Sequence, residues 1–347
     1  MSIDLTRSRE FSAGLFNWLR GKGRILIVAH DNPDPDALAA AFALRHLFEV
    51  KAGLDATIAF GGIIGRAENR VMVEQLEIKA VPLNSLDLDE FCVICMVDTQ
   101  PGAGNNSFPV DREVHLVIDH HPMRAETERC RWSDIRENYG ASATILYEYL
   151  LCNEVYFGTK LATILFYAVK SETQDLGREW GVADRAAYLN LLQLSNNKIL
   201  FNIAHAKVPA DYFALFARAI ENTRLYDNVL VFNLYDTPTP ESVAEMADWL
   251  LRMQGVDYVF GLGRCGDRGV LSLRTTVADA ASGSLMRATL GDLGTGGGHG
   301  MTAGGQIDPL TGNHAVLQEL EHTLTRRFLQ ALNRPMVKGR SLAVNPS

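Results

Sequence analysis

A long hydrophobic run is missing from this chain. The longest apolar stretches, such as Thr163–Val169, fall far short of the ~20 residues that a membrane-spanning helix needs. A basic excess is missing too: Lys and Arg number 33 against 41 Asp and Glu, a net charge of −8. That excludes a cationic coat for long nucleic acid, because long phosphate tracks need a positive surface. A long single strand would prefer a basic channel with stacking aromatics, so the acidic balance agrees better with a short ligand. The N-terminus has no apolar segment followed by a small-residue cleavage site, so no signal peptide is expected and the expected location is cytoplasmic. Five cysteines, Cys92, Cys95, Cys130, Cys152 and Cys265, are an odd number without framework spacing, which points to reduced thiols. Cys92 and Cys95 form a CxxC, but within the apolar run Phe91–Val97. On a strand, positions three apart face opposite sides, so they read as buried small hydrophobes rather than a zinc or redox pair.

What is present fits two domains, the prior for 347 residues. The first half alternates continuous apolar runs with helical patterns. Arg24–Ala29, Phe91–Val97 and Val114–Ile118 read as strands covered on both faces, which predicts a mostly parallel sheet with helical crossovers. Ala37–Phe48, Ala141–Leu151 and Lys160–Lys170 read as helices, and Phe11, Leu15, Phe16, Trp18 and Leu19 mark another near the N-terminus. A second pattern begins near Asp227: strands at 229–234, 258–262 and 270–275, helices at 240–253, 283–290 and 318–332, and a glycine-rich run, Gly294–Gly305. The expected fold class is therefore α/β, a mostly parallel sheet domain followed by a smaller mixed α/β domain. The expected boundaries are 1–195, a helical linker 196–226, 227–335, and a loose tail 336–347.

Three strands of the first half end in acidic or imidazole residues. His30, Asp34 and Asp36 follow the first, Asp98 ends another, and Asp119-His120-His121 ends a third. In open α/β sheets ligands bind beyond the carboxyl ends of the strands, so these groups are expected to converge across some ninety positions of sequence. Pro33 and Pro35 disfavour helix at the residues before them, which predicts an extended loop presenting Asp34 and Asp36 together. Crowded carboxylates raise one another's pKa unless cations balance them. A mixed carboxylate and imidazole set suits Mn²⁺, Mg²⁺, Co²⁺ or Fe²⁺, and two such ions would clamp a phosphoryl group undergoing in-line displacement. Any one of these aspartates alone would read as a helix cap or turn former.

The segments His30-Asp-Asn-Pro-Asp34-Pro-Asp36, Asp98 and Asp119-His-His together resemble the DHH phosphoesterase superfamily, and Gly296-Gly-Gly-His299 with Ala303-Gly-Gly305 resembles its C-terminal DHHA1 domain. In length the chain is similar to the nanoRNase and pAp-phosphatase type. The resemblance implies that His30 and Asp34 bind one metal, that Asp36 and His120 bind another, and that Asp98 bridges them. It implies Mn²⁺ as the metal, His121 facing the substrate phosphate, and Asp119 orienting an imidazole. The family's next motif usually reads Thr/Ser-Asp-Thr; here Ser171-Glu172-Thr173 puts Glu172 at the metal-binding position, with Asp175 in reserve on the same face if the segment stays helical. Arg274, Gly297, Gly298 and His299 are implied as substrate-binding. The implied substrates are short oligonucleotides or a small phosphorylated nucleotide such as pAp. Long duplex nucleic acid and membranes are not expected partners, and a homodimer is an open possibility. A polyphosphate or pyrophosphate hydrolase of the same superfamily is one alternative. A nucleotide sensor with a weakened site is the other, for which Glu172 is the sequence hint.

One further pattern carries no function. Gly261-Leu-Gly263-Arg-Cys-Gly266 fits a dinucleotide-binding fingerprint, but runs into Asp267-Arg268-Gly269 and a strand, which predicts a hairpin turn. His46, His115, His205, His314 and His322 have no ligand spacing and read as packing or surface residues.

Overall fold

The computed structural model describes residues 5–335 and 337–343. The chain divides into two compact units, 1–206 and 207–347.

The first unit runs α1 (Thr6–Leu19), β1 (Ile25–Val28), α2 (Pro35–Ala52), β2 (Ala56–Phe60), α3 (Ala67–Gln75), β3 (Val81–Pro82), β4 (Val93–Val97), β5 (Leu116–Asp119), β6 (Trp132–Ile135), α4 (Ser142–Cys152), α5 (Thr159–Glu172), α6 (Val182–Leu194) and α7 (Asn197–Ala204). Its six strands pair in parallel in the order β3-β2-β1-β4-β5-β6. The apolar runs form central strands because both faces are covered: every residue of β1, β4 and β5 is buried. Ile25, Ile27, Val93, Cys95, Leu116 and Ile118 face a core shared with α1, α2, α4 and α5. Leu26, Val28, Ile94, Met96 and Val117 face the other side, against Leu83, Phe91, Phe108 and Val114. The expectation of helical crossovers is thus half met in space. Helices pack one face, while 3₁₀ turns and loops cover the other.

Chain direction across the sheet reverses between β1 and β4. From β1 the chain goes to β2 and β3 on one side, then returns to β4 on the other. That switch point splays the loops after β1 and β4 apart and leaves a crevice at the carboxyl ends of the strands. After β1 and a six-residue loop, α2 begins at Pro35, where a fixed φ and missing N–H are no handicap. Asp34 is its N-cap, its Oδ1 accepting from the Asp36 and Ala37 amides at 2.9 and 3.0 Å. The loop is therefore extended only to Asp34, and Asp36 sits in the first helical turn rather than in an extended segment.

The second unit runs α8 (Ala210–Asn222), β7 (Arg224–Tyr226), β8 (Val229–Asp236), α9 (Glu241–Leu250), β9 (Tyr258–Cys265), β10 (Arg268–Thr275), α10 (Ser282–Leu290), β11 (Thr295–His299), β12 (Thr302–Ile307), α11 (His314–Ala331) and β13 (Arg340–Ser341). Its seven-stranded sheet, β11-β12-β10-β9-β8-β7-β13, is antiparallel except for β8 with β9. α10 and α11 share a core with one face, α8 and α9 with the other. The dinucleotide-like glycines lie at the β9–β10 hairpin, where Gly266 takes φ +64°.

Three expectations are revised here. The stretch 196–226 is helical but divides between the units, α7 in the first and α8 in the second. The tail is not wholly loose, since Arg340–Ser341 pairs with β7; Met336 and residues 344–347 lie outside the described residues. Cys92 is exposed, just before β4 begins, while Cys95 is buried within it. Among the described residues no helix is long and apolar enough to cross a membrane.

Candidate metal centre

The strand ends bring the acidic and imidazole residues together. His30 leaves β1 with Nε2 3.6 Å from Asp34 Oδ1 and 3.6 Å from Asp98 Oδ2. His120, after β5, has Nε2 3.5 Å from Asp98 Oδ1 and 3.9 Å from Asp36 Oδ2. Asp98 lies between the two imidazoles and presents one oxygen to each. It reaches that position with φ +56°, a left-handed conformation that Asp tolerates better than most residues. Such a twist at a strand end turns the side chain into the crevice.

Each imidazole is aimed by a hydrogen bond on its other nitrogen. His30 Nδ1 bonds the Asp31 carbonyl at 2.8 Å, and His120 Nδ1 the Tyr139 carbonyl at 3.1 Å. This leaves the Nε2 atoms pointing at the carboxylates, as metal-ligating histidines are usually held. Asp36 is gripped at the N-terminus of α4, its oxygens accepting from the Ser142 and Ala143 amides at 2.7 and 2.8 Å. Ser142 Oγ adds a bond to Asp98 Oδ1 at 3.0 Å. Glu172, the last residue of α5, is half-buried, and its charge is felt by Asp98 and His30.

The electrostatics are those of a crowd of negative charge. Burial first, then the Asp34 charge, pushes Asp36 up to about 8. Burial, then Asp34 and Asp36, pushes Glu172 up to about 8 as well. Asp98 is raised well above the usual carboxylate range by burial and by its acidic neighbours. Burial alone would lower His30, but the hydrogen bond and charge of Asp34 outweigh it and raise His30 to about 9. Asp34 moves the opposite way: burial opposes it, yet His30 holds it well below its ordinary value.

Divalent ions fit this donor set. Ligand atoms around one ion at ~2.1 Å lie about 3.0–3.4 Å apart in octahedral or tetrahedral geometry. The 3.5–3.9 Å separations are too long for hydrogen bonds and close to that spacing. Carboxylate oxygens with imidazole nitrogens and no thiolate favour Mn²⁺, Fe²⁺, Co²⁺ or Mg²⁺ over a structural zinc. Two groups of donors could each hold an ion, His30 with Asp34 and Asp98, and Asp98 with Asp119, His120 and His121.

Asp119 and His121 are also bonded to each other. Asp119 Oδ1 accepts from the backbone of His120 and His121 at 2.7 and 3.1 Å and pairs with His121 Nδ1 at 2.8 Å. Burial opposes its charge, but His121 prevails and keeps Asp119 well below the normal range. Gln100 was not foreseen from sequence. Its Nε2 donates to Asp119 Oδ2 at 2.8 Å and to the Pro122 carbonyl at 3.1 Å, while its Oε1 accepts from the Arg124 amide and Thr127. Ser142 was missed as well, although Gly140-Ala141-Ser142 before an apolar helical run is a helix-start signal. Asp175, the reserve candidate, stands apart: it is exposed and bonded to Lys170 and Tyr188. The helix stops at Glu172, so 172 and 175 do not share a helical face.

In the second unit Arg274 lies on β10, opposite Thr302 of β12, which is itself opposite His299 of β11. The side chain of His299 lies outside the described residues. Arg274 Nε is paired to Asp248 of α9 at 2.8 Å, a partner no sequence pattern announced. The glycine run is a hairpin rather than a loop. A Cβ at Gly297 would meet nothing within 4 Å, whereas one at Gly298 would lie 2.3 Å from the Thr302 carbonyl. Gly298 is thus required by packing, and Gly297 leaves bare backbone on the sheet surface.

Residues 24–169 match the model of the DHH family, N-terminal domain. An uncharacterized protein of Methanocaldococcus jannaschii is 33% identical over 318 residues, covering 90% of this chain and 64% of that protein. A probable manganese-dependent inorganic pyrophosphatase of Lactiplantibacillus plantarum is 27% identical over 149 residues, 43% of this chain and 47% of that one. The chain thus spans under two thirds of the length of either relative. Among solved structures, an exopolyphosphatase-related protein from Bacteroides fragilis shares the fold with a TM-score of 0.71 at 14% identity, covering 94% of this chain and 98% of its own.

Proposed function

We propose that this protein is a metal-dependent phosphoesterase whose first unit holds two divalent ions, Mn²⁺ foremost. His30, Asp34 and Asp98 would hold one ion, and Asp36, Asp98, His120 and Glu172 the other. Ions so placed neutralise phosphate oxygens and bring the pKa of a coordinated water toward neutrality. The observation that carries this reading is Asp98, which offers one carboxylate oxygen to each imidazole from the centre of the site. The manganese dependence named for the pyrophosphatase relative supports the choice of metal.

The chain's own residues do the rest. Asp119 fixes the His121 ring through Nδ1, so any proton His121 exchanges with substrate passes through Nε2. Gln100 braces Asp119 and keeps the pair in register. In the second unit, which we read as a DHHA1 domain, Asp248 orients the Arg274 guanidinium toward bidentate work on a phosphate. Gly297, Gly298 and His299 supply the backbone beside it. The substrates on this reading are short oligonucleotides or small phosphorylated nucleotides such as pAp, in keeping with the acidic net charge.

Likeness to probable pyrophosphatases favours one second reading, an inorganic phosphoanhydride as substrate. The experiment gives the purified protein Mn²⁺ and a panel of labelled dinucleotide, pAp, pyrophosphate and polyphosphate. Mononucleotide or phosphate release from the nucleotides supports the first reading, and exclusive turnover of the inorganic substrates supports the second. No hydrolysis of any member defeats both.

A further inference from the structure

We propose that Asp175 is a positioning residue: held by Lys170 and Tyr188, it latches a left-handed turn at the end of α5 that fixes where Glu172 presents its carboxylate. This rests on the reading of Glu172 as a metal ligand. Three consecutive residues without the freedom of glycine, Gln174, Asp175 and Leu176, take φ of +48°, +58° and +62°. L residues adopt that conformation singly and rarely in runs, so something must hold the turn closed.

The holding groups are present. The Asp175 amide donates to the Lys170 carbonyl at 2.9 Å, and the Arg178 amide to the Thr173 carbonyl at 2.9 Å. Thr173 Oγ1 ties back to Val169 at 2.6 Å and accepts from the Leu176 amide at 3.2 Å. Across these backbone bonds the Asp175 carboxylate accepts from Lys170 Nζ at 2.6 and 2.7 Å and from Tyr188 Oη at 2.8 Å. Lys170 is on α5 and Tyr188 on α6, where its ring packs 4.8 Å from Phe166 of α5. The carboxylate therefore ties the end of α5 to its neighbouring helix, three residues after the last helical position.

Glu172 needs such a tie. It ends its helix, where backbone frays most readily, and its side chain has one more methylene than an aspartate. A terminal residue with a longer reach places its carboxylate reproducibly only if the following backbone is fixed. An exposed ion pair contributes little to global stability, so the latch is expected to show in the site rather than in the fold.

The test titrates Mn²⁺ into the EDTA-treated full chain, following free Mn²⁺ by electron paramagnetic resonance, with metal-free melting temperatures in parallel. Glu172→Gln should weaken binding most. Asp175→Asn keeps a residue that tolerates the left-handed turn but removes the charge; it should weaken binding by up to about 10-fold, with the melting temperature near wild type. Tyr188→Phe, which leaves Asp175 intact, should weaken it in the same direction by a smaller factor. Wild-type binding in both Asp175→Asn and Tyr188→Phe overturns the latch. Weakening in Asp175→Asn alone also overturns it, since Asp175 would then act as a ligand itself. A wild-type chain that binds no Mn²⁺ instead defeats the reading of the metal centre, and the latch with it.

Discussion

The two units use their sheets in opposite ways. In the first, parallel strands converge on a switch point and bury carboxylates and imidazoles within 4 Å of one another. In the second, a mixed sheet pairs Arg274 with Asp248 and leaves open space where a side chain at Gly297 would lie. The first crowds acidic groups until their pKa values rise, whereas the second pairs its arginine with a carboxylate. On the proposed reading the metal chemistry and the substrate grip belong to different units and are separable by mutation.

Asp98→Asn should have the largest effect. Loss of an outer-shell partner already costs 10–100-fold, so loss of the shared central ligand should lower Mn²⁺-dependent hydrolysis by more than about 100-fold. Stopped assays of the variant beside wild type give the ratio. A second-unit variant, Arg274→Met, should raise KM and leave kcat near wild type. A hydrogen bond to a charged group contributes roughly 1.5–3 kcal/mol, so a KM increase of about 10–100-fold is expected. Equal losses in kcat from the two variants would erase the proposed division of labour.

Gln100→Leu should fall within the 10–100-fold range of an outer-shell partner, read as kcat/KM with Mn²⁺ saturating. The glycines give a contrast in stability. Gly298→Ala forces a Cβ against the Thr302 carbonyl from φ +152°, and should cost about 1–3 kcal/mol or more in denaturant unfolding. Gly297→Ala, with open space around its Cβ, should stay within about 0.5 kcal/mol and act on substrate binding alone.

The pH dependence follows from the same crowding. Asp36 and Glu172 are raised to about 8 and His30 to about 9, so the folded metal-free protein binds more protons than the unfolded chain in that range. Stability then falls as pH rises from about 4 for the carboxylates, and from about 6.5 for His30, until the folded values are passed. Asp34 and Asp119 are lowered and act oppositely, contributing stability that is lost only in acid. Thermal melts of EDTA-treated protein should therefore fall between pH 6 and 9, and the stabilisation on adding Mn²⁺ should grow across the same interval. A flat profile with no growing Mn²⁺ effect would count against the crowding.

Much of this was legible in the sequence. β1, β4 and β5 were readable because strands buried on both faces must be continuously apolar, and their terminal Asp and His residues broke that rule in the same way. Less was legible where side chains carry no pattern. β6, Trp132-Ser-Asp-Ile135, hides a buried Asp134 that is tolerable only because Arg136 and Tyr149 bond it. β11 and β12 carry five glycines in eleven residues and have no apolar alternation to read. Asp36 was expected in an extended loop because Pro33 and Pro35 act on the residues before them; Pro35 at the first helical position starts a helix instead. Asp175 would share a helical face with Glu172 on spacing alone, but the helix ends at Glu172 and a left-handed turn begins at Gln174. Gln100 and Asp248 act through contacts distant in sequence, which no local signal records.

The most direct measurement is anomalous diffraction at the manganese edge from crystals soaked in Mn²⁺. The account predicts peaks in the crevice beyond β1, β4 and β5, with Asp98 within bonding distance of the ions, His30 and Asp34 on one side and His120 and Asp36 on the other. Peaks elsewhere, or none with Mn²⁺ in excess, would contradict it.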